Sequence, residues 1–250
     1  MTGMLASVMN EAEAAAALAA GVDIIDMKNP WEGALGALPS TLITTIMSSL
    51  DGRVTTSATV GDLPPEPGIL TEAIRTTAAT GVGFVKVGFF SSQNLDPCIS
   101  AIGRLTPAIA VIAVLFADLC PDPALIKGFA KAGFSGIMLD TMRKDGPSLL
   151  ESTTPTQLRE FVLECRHWGL LCGLAGSLKH RDIPRLLPLE PDYLGFRGAL
   201  CSASQRGLDI DPERLSQVRQ AIPREKKRSR PETAHIPPAG TAPEDPPIVP

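Results

Sequence analysis

Several chemistries are missing from this chain of 250 residues. Its five cysteines, Cys98, Cys120, Cys165, Cys172 and Cys201, are scattered, with no C-x-x-C pair and no clustered spacing. An odd, unclustered set points to reduced thiols in the cytosol rather than to a disulfide framework. The three histidines, His167, His180 and His235, are too dispersed to hold a metal, and His167 with Trp168 reads as the packed end of a helix. Neither G-x-G-x-x-G nor G-x-x-x-x-G-K-[ST] occurs, which argues against a dinucleotide cofactor or a P-loop. The formal charge of −4 argues against a general nucleic-acid binder. Residues 1–20 have no basic start leading into an apolar core, so no signal peptide is expected. Apolar runs break well short of the roughly 18 residues that span a bilayer. A cytoplasmic protein is expected, with no membrane or nucleic-acid partner.

What is present is enough to build a sizeable core, since 44% of the residues are apolar. Short strands alternate with helices. Strands are expected at Met4–Met9, Val22–Lys28, Arg53–Asp62, Phe84–Phe90, Ala108–Asp118, Gly136–Thr141, Leu170–Gly176 and Tyr193–Ala199. The first helix, Glu11–Ala20, is alanine-rich, with Asn10 as its cap and Glu13 as a reciprocal cap. Others run from Pro39 to Leu50, over Ile69–Thr80, and from Asn94 or Asp96 to Leu105. A further helix opens at Asp122-Pro123 and closes at Gly133. The last three are Pro155–Trp168, a short Arg181–Leu187 interrupted by Pro184, and Pro212–Ala221. Eight such units in about 220 residues call for parallel strands with helical crossovers, closed as a single α/β barrel of the (β/α)8 TIM type over residues 1–222. From Pro223 a charge block, REKKRSR, runs into a proline-rich stretch, so 223–250 reads as a disordered tail.

The stretch VDIIDMKNP, Val22 to Pro30, carries two ionisable groups in an apolar run. Residues two apart on a strand face the same way, so Asp26 and Lys28 can share a pocket. Taken alone, Lys28 reads more readily as a solvated cap on a strand. The rest of the chain adds weight. Active sites of such barrels lie at the strands' C-terminal ends. There the successive strands offer Thr59 and Asp62, Lys86, Asp118, and Asp140 followed by Lys144. Met138 and Met142 read as packing. Burial and neighbouring cations both disfavour an ammonium ion, so one lysine in such a cleft can attack a carbonyl as a free amine. The loops after strands seven and eight bring Gly176, Ser177, Arg197 and Gly198 to the corner where this fold usually holds phosphate.

The segments DIIDMKNPWEGALGA, SATVGD, FVKVGF, MLDTMRKDG, LAGSL and GFRGA, in that order, resemble those of the (5-formylfuran-3-yl)methyl phosphate synthase family. The resemblance runs from about Met4 to Ala221. It implies a (β/α)8 lyase that joins two molecules of glyceraldehyde 3-phosphate, with loss of phosphate and water, for a furan C1-carrier cofactor (methanofuran or methylofuran). It implies Lys28 as the Schiff-base residue, Lys86 as proton donor and acceptor, and Asp26, Asp140 and Lys144 as supporting groups. No metal or other cofactor is implied. The segment FADLCPDP is shorter than the family's pattern, which leaves the role of Asp118 open. Triose phosphates are the expected small-molecule partners, and a homo-oligomer is the expected assembly. Two other readings stay open: another class I aldolase acting on phosphorylated sugars, and a noncatalytic barrel that binds a phosphorylated metabolite.

Overall fold

The structure is a computed structural model that describes residues 1–90 and 95–223. Residues 224–250, nearly all of the expected tail, lie outside the described residues, as does Asn94. The order is β1 (Gly3–Val8), α1 (Glu11–Ala20), β2 (Ile24–Met27), α2 (Ser40–Leu50), β3 (Thr55–Thr59), α3 (Pro67–Ala78), β4 (Phe84–Gly88) and α4 (Leu95–Gly103). It continues with β5 (Val111–Phe116), α5 (Leu125–Lys131), β6 (Gly136–Asp140), α6 (Leu149–Ser152), α7 (Pro155–His167), β7 (Leu171–Leu174), α8 (Ile183–Leu186), β8 (Tyr193–Phe196) and α9 (Pro212–Ala221). The strands pair in parallel in sequence order and β1 closes on β8, so the sheet is a barrel without edges. Among the described residues no helix is long and apolar enough to cross a membrane.

Strand parity divides the core in two. Ala6, Val8, Ile25 and Met27 face outward and pack with helix residues such as Ile43, Ile46 and Ile74. Leu5, Ile112, Val114, Met138 and Tyr193 fill the barrel interior as a separate apolar plug. Side chains one pleat nearer the C-terminal mouth are polar: Ser7, Asp26, Ser57 and Lys86 are all buried. The plug therefore forms the floor on which a polar site stands.

The elements fall where the hydrophobic pattern put them, with differences at their ends. The ladders are shorter than the apolar runs. β5 stops at Phe116 and turns into a 3₁₀ turn at Ala117–Leu119, and β8 gives way to another at Gly198–Leu200. Loop residues such as Leu200 are buried too, so apolarity does not mark the last hydrogen-bonded residue. Helix α5 starts at Leu125 rather than at Pro123, because the Asp122 carboxylate accepts the Ala124 N–H at 2.8 Å and holds a turn before it. Pro184 does not interrupt a helix but sits in the first turn of α8, where its missing N–H costs nothing. The short α6 was not anticipated, although Ser148 and Glu151 have the spacing of a capping box and form one.

Asn10 caps α1 through the Glu13 N–H at 2.8 Å. Glu13 does not return the bond to Asn10. Its carboxylate accepts the Met9 N–H at 2.8 Å and pairs with Arg197, 184 positions away. A long-range partner has displaced the local one.

Candidate active site

The site begins with Asp26, which is completely buried. Strand register sets Ser7 of β1 and Ser57 of β3 on either side of it. Both hydroxyls donate to its carboxylate, Ser7 Oγ at 2.9 Å and Ser57 Oγ at 2.6 Å, and Lys86 Nζ donates at 3.0 Å. Burial would raise the pKa of Asp26, but the charges of Lys86 and Lys28 and these bonds outweigh it and hold the group below the usual carboxylate range. Asp26 is thus an anchored anion that fixes Lys86.

Lys28 stands above this pair, where the chain leaves β2. It is 7% exposed, so it is not a solvated cap. Its Nζ donates to the Ala34 carbonyl at 3.1 Å and, among the described residues, forms no ion pair within 4 Å. The neighbouring carboxylates are already taken. Asp26 holds Lys86, and Asp140 holds Lys144 at 2.6 Å while also accepting the Thr141 N–H at 2.7 Å. Burial, followed by the charges of Lys144 and Lys86, lowers the Lys28 pKa from 10.5 to about 7, against the opposing pull of Asp140 and Asp26. Asp140 itself is held low: burial would raise it, but Lys144, Lys28 and its hydrogen bonds prevail. Near neutral pH the site therefore presents one amine with a large free-base fraction, flanked by two lysines whose charges are paired.

The lysine mouth opens into a cavity of about 590 Å³ that continues along the loops after β7 and β8. Lys28, Lys86, Asp140, Lys144, Gly176, Ser177, Arg197 and Gly198 all line it. Asp26 lies beneath its floor. Eight lysines and arginines line the cavity against three carboxylates, in a chain of net charge −4. Such a hollow concentrates anions.

Other polar groups at the strand ends hold loops rather than face the cavity. Asp62 accepts the N–H groups of Ala34 and Leu35 at 2.8 and 2.7 Å, and Thr59 Oγ1 donates to the Gly36 carbonyl at 2.8 Å. Together they shape the loop after β2 that gives Lys28 its carbonyl partner. Gly33 is required there: its φ is +73°, and a Cβ would sit 2.0 Å from the Asp62 carboxylate. Asp118, left open by the sequence, accepts the N–H groups of Met142 and Arg143 at 2.8 and 2.9 Å and so fixes the loop that carries Lys144.

Arg197 has a different task from the phosphate contact expected of it. Its Nη1 and Nη2 donate to Glu13, and to the carbonyls of Ser7 and Leu208, while Nε donates to Arg206 O at 2.8 Å. All five N–H groups are spent inside the chain, leaving none to offer an anion in this conformation. The sequence reading missed Ser7, Ser57 and Arg206. Nothing local marks the serines; only their register with Asp26 does.

A family model of 4-HFC-P synthase matches residues 4–219. The chain belongs to the 4-HFC-P synthase family. It is 35% identical to (5-formylfuran-3-yl)methyl phosphate synthase of Methanocaldococcus jannaschii over 230 residues, covering 87% of this chain and 98% of that protein. A Methylorubrum extorquens protein, provisionally given the same name, is 44% identical over 222 residues, covering 88% of this chain and 91% of the relative. Among solved structures, phosphoribosyl anthranilate isomerase from Thermus thermophilus superimposes with a TM-score of 0.63 at 17% identity, over 88% of this chain and 98% of that one. That likeness concerns the barrel alone. The 4-HFC-P synthase match spans all eight strands except Gly3 of β1, and all five of the charged residues expected to be catalytic.

Proposed function

We propose that this chain is a (5-formylfuran-3-yl)methyl phosphate synthase that condenses two molecules of glyceraldehyde 3-phosphate through a Schiff base on Lys28. The observation that carries the reading is the state of that amine: buried, bonded among the described residues only to a carbonyl, and with a pKa of about 7. A free amine attacks a carbonyl carbon, and loss of water gives an iminium. The iminium is an electron sink that acidifies the adjacent C–H. Lys86, fixed by Asp26, is the group to take that proton and later return it. Lys144, fixed by Asp140, is the second proton carrier. One triose first isomerises to its ketone form through an enediol. The other, held as the imine on Lys28, gives up its C2 proton and then its phosphate, and the terminal carbon of the enol so formed attacks the ketone carbon of the first. A hydroxyl of the former ketone then closes the ring, two molecules of water leave, the imine is hydrolysed, and aromaticity draws the sequence forward. The glycine-rich corner at Gly176, Ser177 and Gly198 is the proposed seat of the phosphate on the Lys28-bound triose.

Two measurements test this. Incubation with glyceraldehyde 3-phosphate is expected to produce the strong ultraviolet absorption of a furan aldehyde, whereas an ordinary aldolase would leave a linear sugar without it. Borohydride reduction during turnover is expected to leave a triose adduct on Lys28, mapped by peptide mass spectrometry. Absence of any adduct on the wild-type chain removes the covalent mechanism.

A further inference from the structure

Four of the cavity's cations, Lys179, Arg181, Arg206 and Arg214, have no part in the catalytic reading, and Arg206 is the one bonded to the loop after β2. It lies in the loop between β8 and α9, half-buried, and Nη2 donates to the Gly33 carbonyl at 2.9 Å. Its other four N–H groups have no hydrogen-bond partner among the described residues, and no carboxylate there lies within 4 Å of it. Arg197, nine positions earlier, is saturated. Burial disfavours the charge of Arg206, and Asp140 and Asp62 oppose that from further off. A guanidinium kept partly out of water with most of its fork free is suited to bind a phosphate.

The chain invests in holding this residue in place. Ala203 and Ser204 are consecutive non-glycine residues in the left-handed region, at φ 52° and 58°. Arg197 clamps the backbone at Arg206 and just after it, through the carbonyls of Arg206 and Leu208. Trp31 lies over Gly207 so closely that a Cβ there would sit 2.3 Å from the indole. The loop after β8 is thereby locked to the loop after β2, which also supplies the carbonyl that Lys28 holds.

We infer that Arg206 forms a second anion subsite at the cavity mouth and binds the phosphate of the aldol acceptor. The inference rests on the Schiff-base reading above. Two trioses bring two phosphates, and two dianions repel each other too strongly to share the corner at Gly176 and Gly198. Arg206 is tied to the loop after β2 at Gly33, next to the Ala34 carbonyl that holds Lys28, so an acceptor facing the Lys28-bound triose can reach it with its own phosphate.

The test compares wild type with Arg206→Gln and Arg206→Lys. Glyceraldehyde 3-phosphate serves as donor, and the added acceptor is either dihydroxyacetone phosphate or unphosphorylated dihydroxyacetone. Furan product with and without its phosphate is followed by mass spectrometry. Wild type is expected to favour the phosphorylated acceptor, and Arg206→Gln to lose about 10- to 100-fold of that preference, chiefly through acceptor KM. Arg206→Lys, which keeps the charge without the fork, is expected to fall between. Borohydride trapping of the donor on Lys28 is expected to stay within about twofold of wild type in both variants, since the donor phosphate sits elsewhere. Normal trapping with unchanged acceptor preference overturns the assignment of Arg206 alone. Failure of wild type to trap the donor overturns the Schiff-base reading and the acceptor subsite with it. If Arg206→Gln does not fold, a wild-type preference in Arg206→Lys is the overturning result.

Discussion

Replacing Lys28 with methionine should make the protein more stable while abolishing turnover. A pKa lowered from 10.5 to about 7 is a stability cost as well as a catalytic device. As pH falls from 10.5, the unfolded chain takes the proton first, and the folded chain loses stability relative to it. The loss grows down to about pH 7 and is constant below, where both states are protonated. At about 1.4 kcal/mol per pH unit, the cost reaches a ceiling of about 4 kcal/mol at pH 7 and about 1 kcal/mol at pH 10. Relaxation and water entry reduce it, and the variant also gives up the bond to the Ala34 carbonyl at 3.1 Å. Methionine fills most of the space of the lysine stem. A net gain of about 2 kcal/mol at pH 7 is therefore expected, or about 4–8 °C in Tm for a domain of this size. Urea unfolding of both chains between pH 6 and 10 measures it, and the gain should shrink toward the alkaline end. Destabilisation at pH 7, or a gain that does not vary with pH, would refute the claim that Lys28 is held against its preferred charge state.

Other expectations follow from the same geometry. Below about pH 7, kcat/KM should fall about tenfold per pH unit as the free amine is protonated. Lys144→Met removes a nearby cation and releases Asp140, so the midpoint for trapping a triose on Lys28 should move above 7; a midpoint that stays or falls contradicts the stated causes. Asp26→Asn leaves Lys86 buried without its carboxylate and should cost about 3–5 kcal/mol by urea unfolding, with loss of turnover. Arg197→Met should cost a similar amount by stranding Glu13, and adding Glu13→Gln should recover part of it; strict additivity of the two changes would mean that the pair does not act as a unit.

Much of the arrangement was legible along the chain, for local reasons. Alternating elements of short length specify a parallel barrel because each strand needs a helical crossover to reach the next. Helix α9 (Pro212–Ala221) was bounded correctly because Asp211 and Pro212 punctuate its start. The nearness of Asp26, Lys28, Lys86, Asp140 and Lys144 followed from their positions at strand ends, since a closed barrel brings all those ends to one rim. The ends of the ladders were less legible, because buried loop residues carry the same apolar signature as strand residues.

The sequence by itself decided the barrel, the rim at which its charged residues gather, and the family. Periodicity and strand order are properties of neighbouring residues, and closure follows from them. The tertiary structure decided how the charges are apportioned. Asp26 takes Lys86 and Asp140 takes Lys144, which leaves Lys28 without an ion pair among the described residues. Glu13 takes all of Arg197 with the help of three carbonyls, whereas Arg206 keeps N–H groups to spare. Pairing of this kind depends on side chains up to 190 positions apart meeting within about 3 Å, and the pattern of single residues along a chain does not encode it.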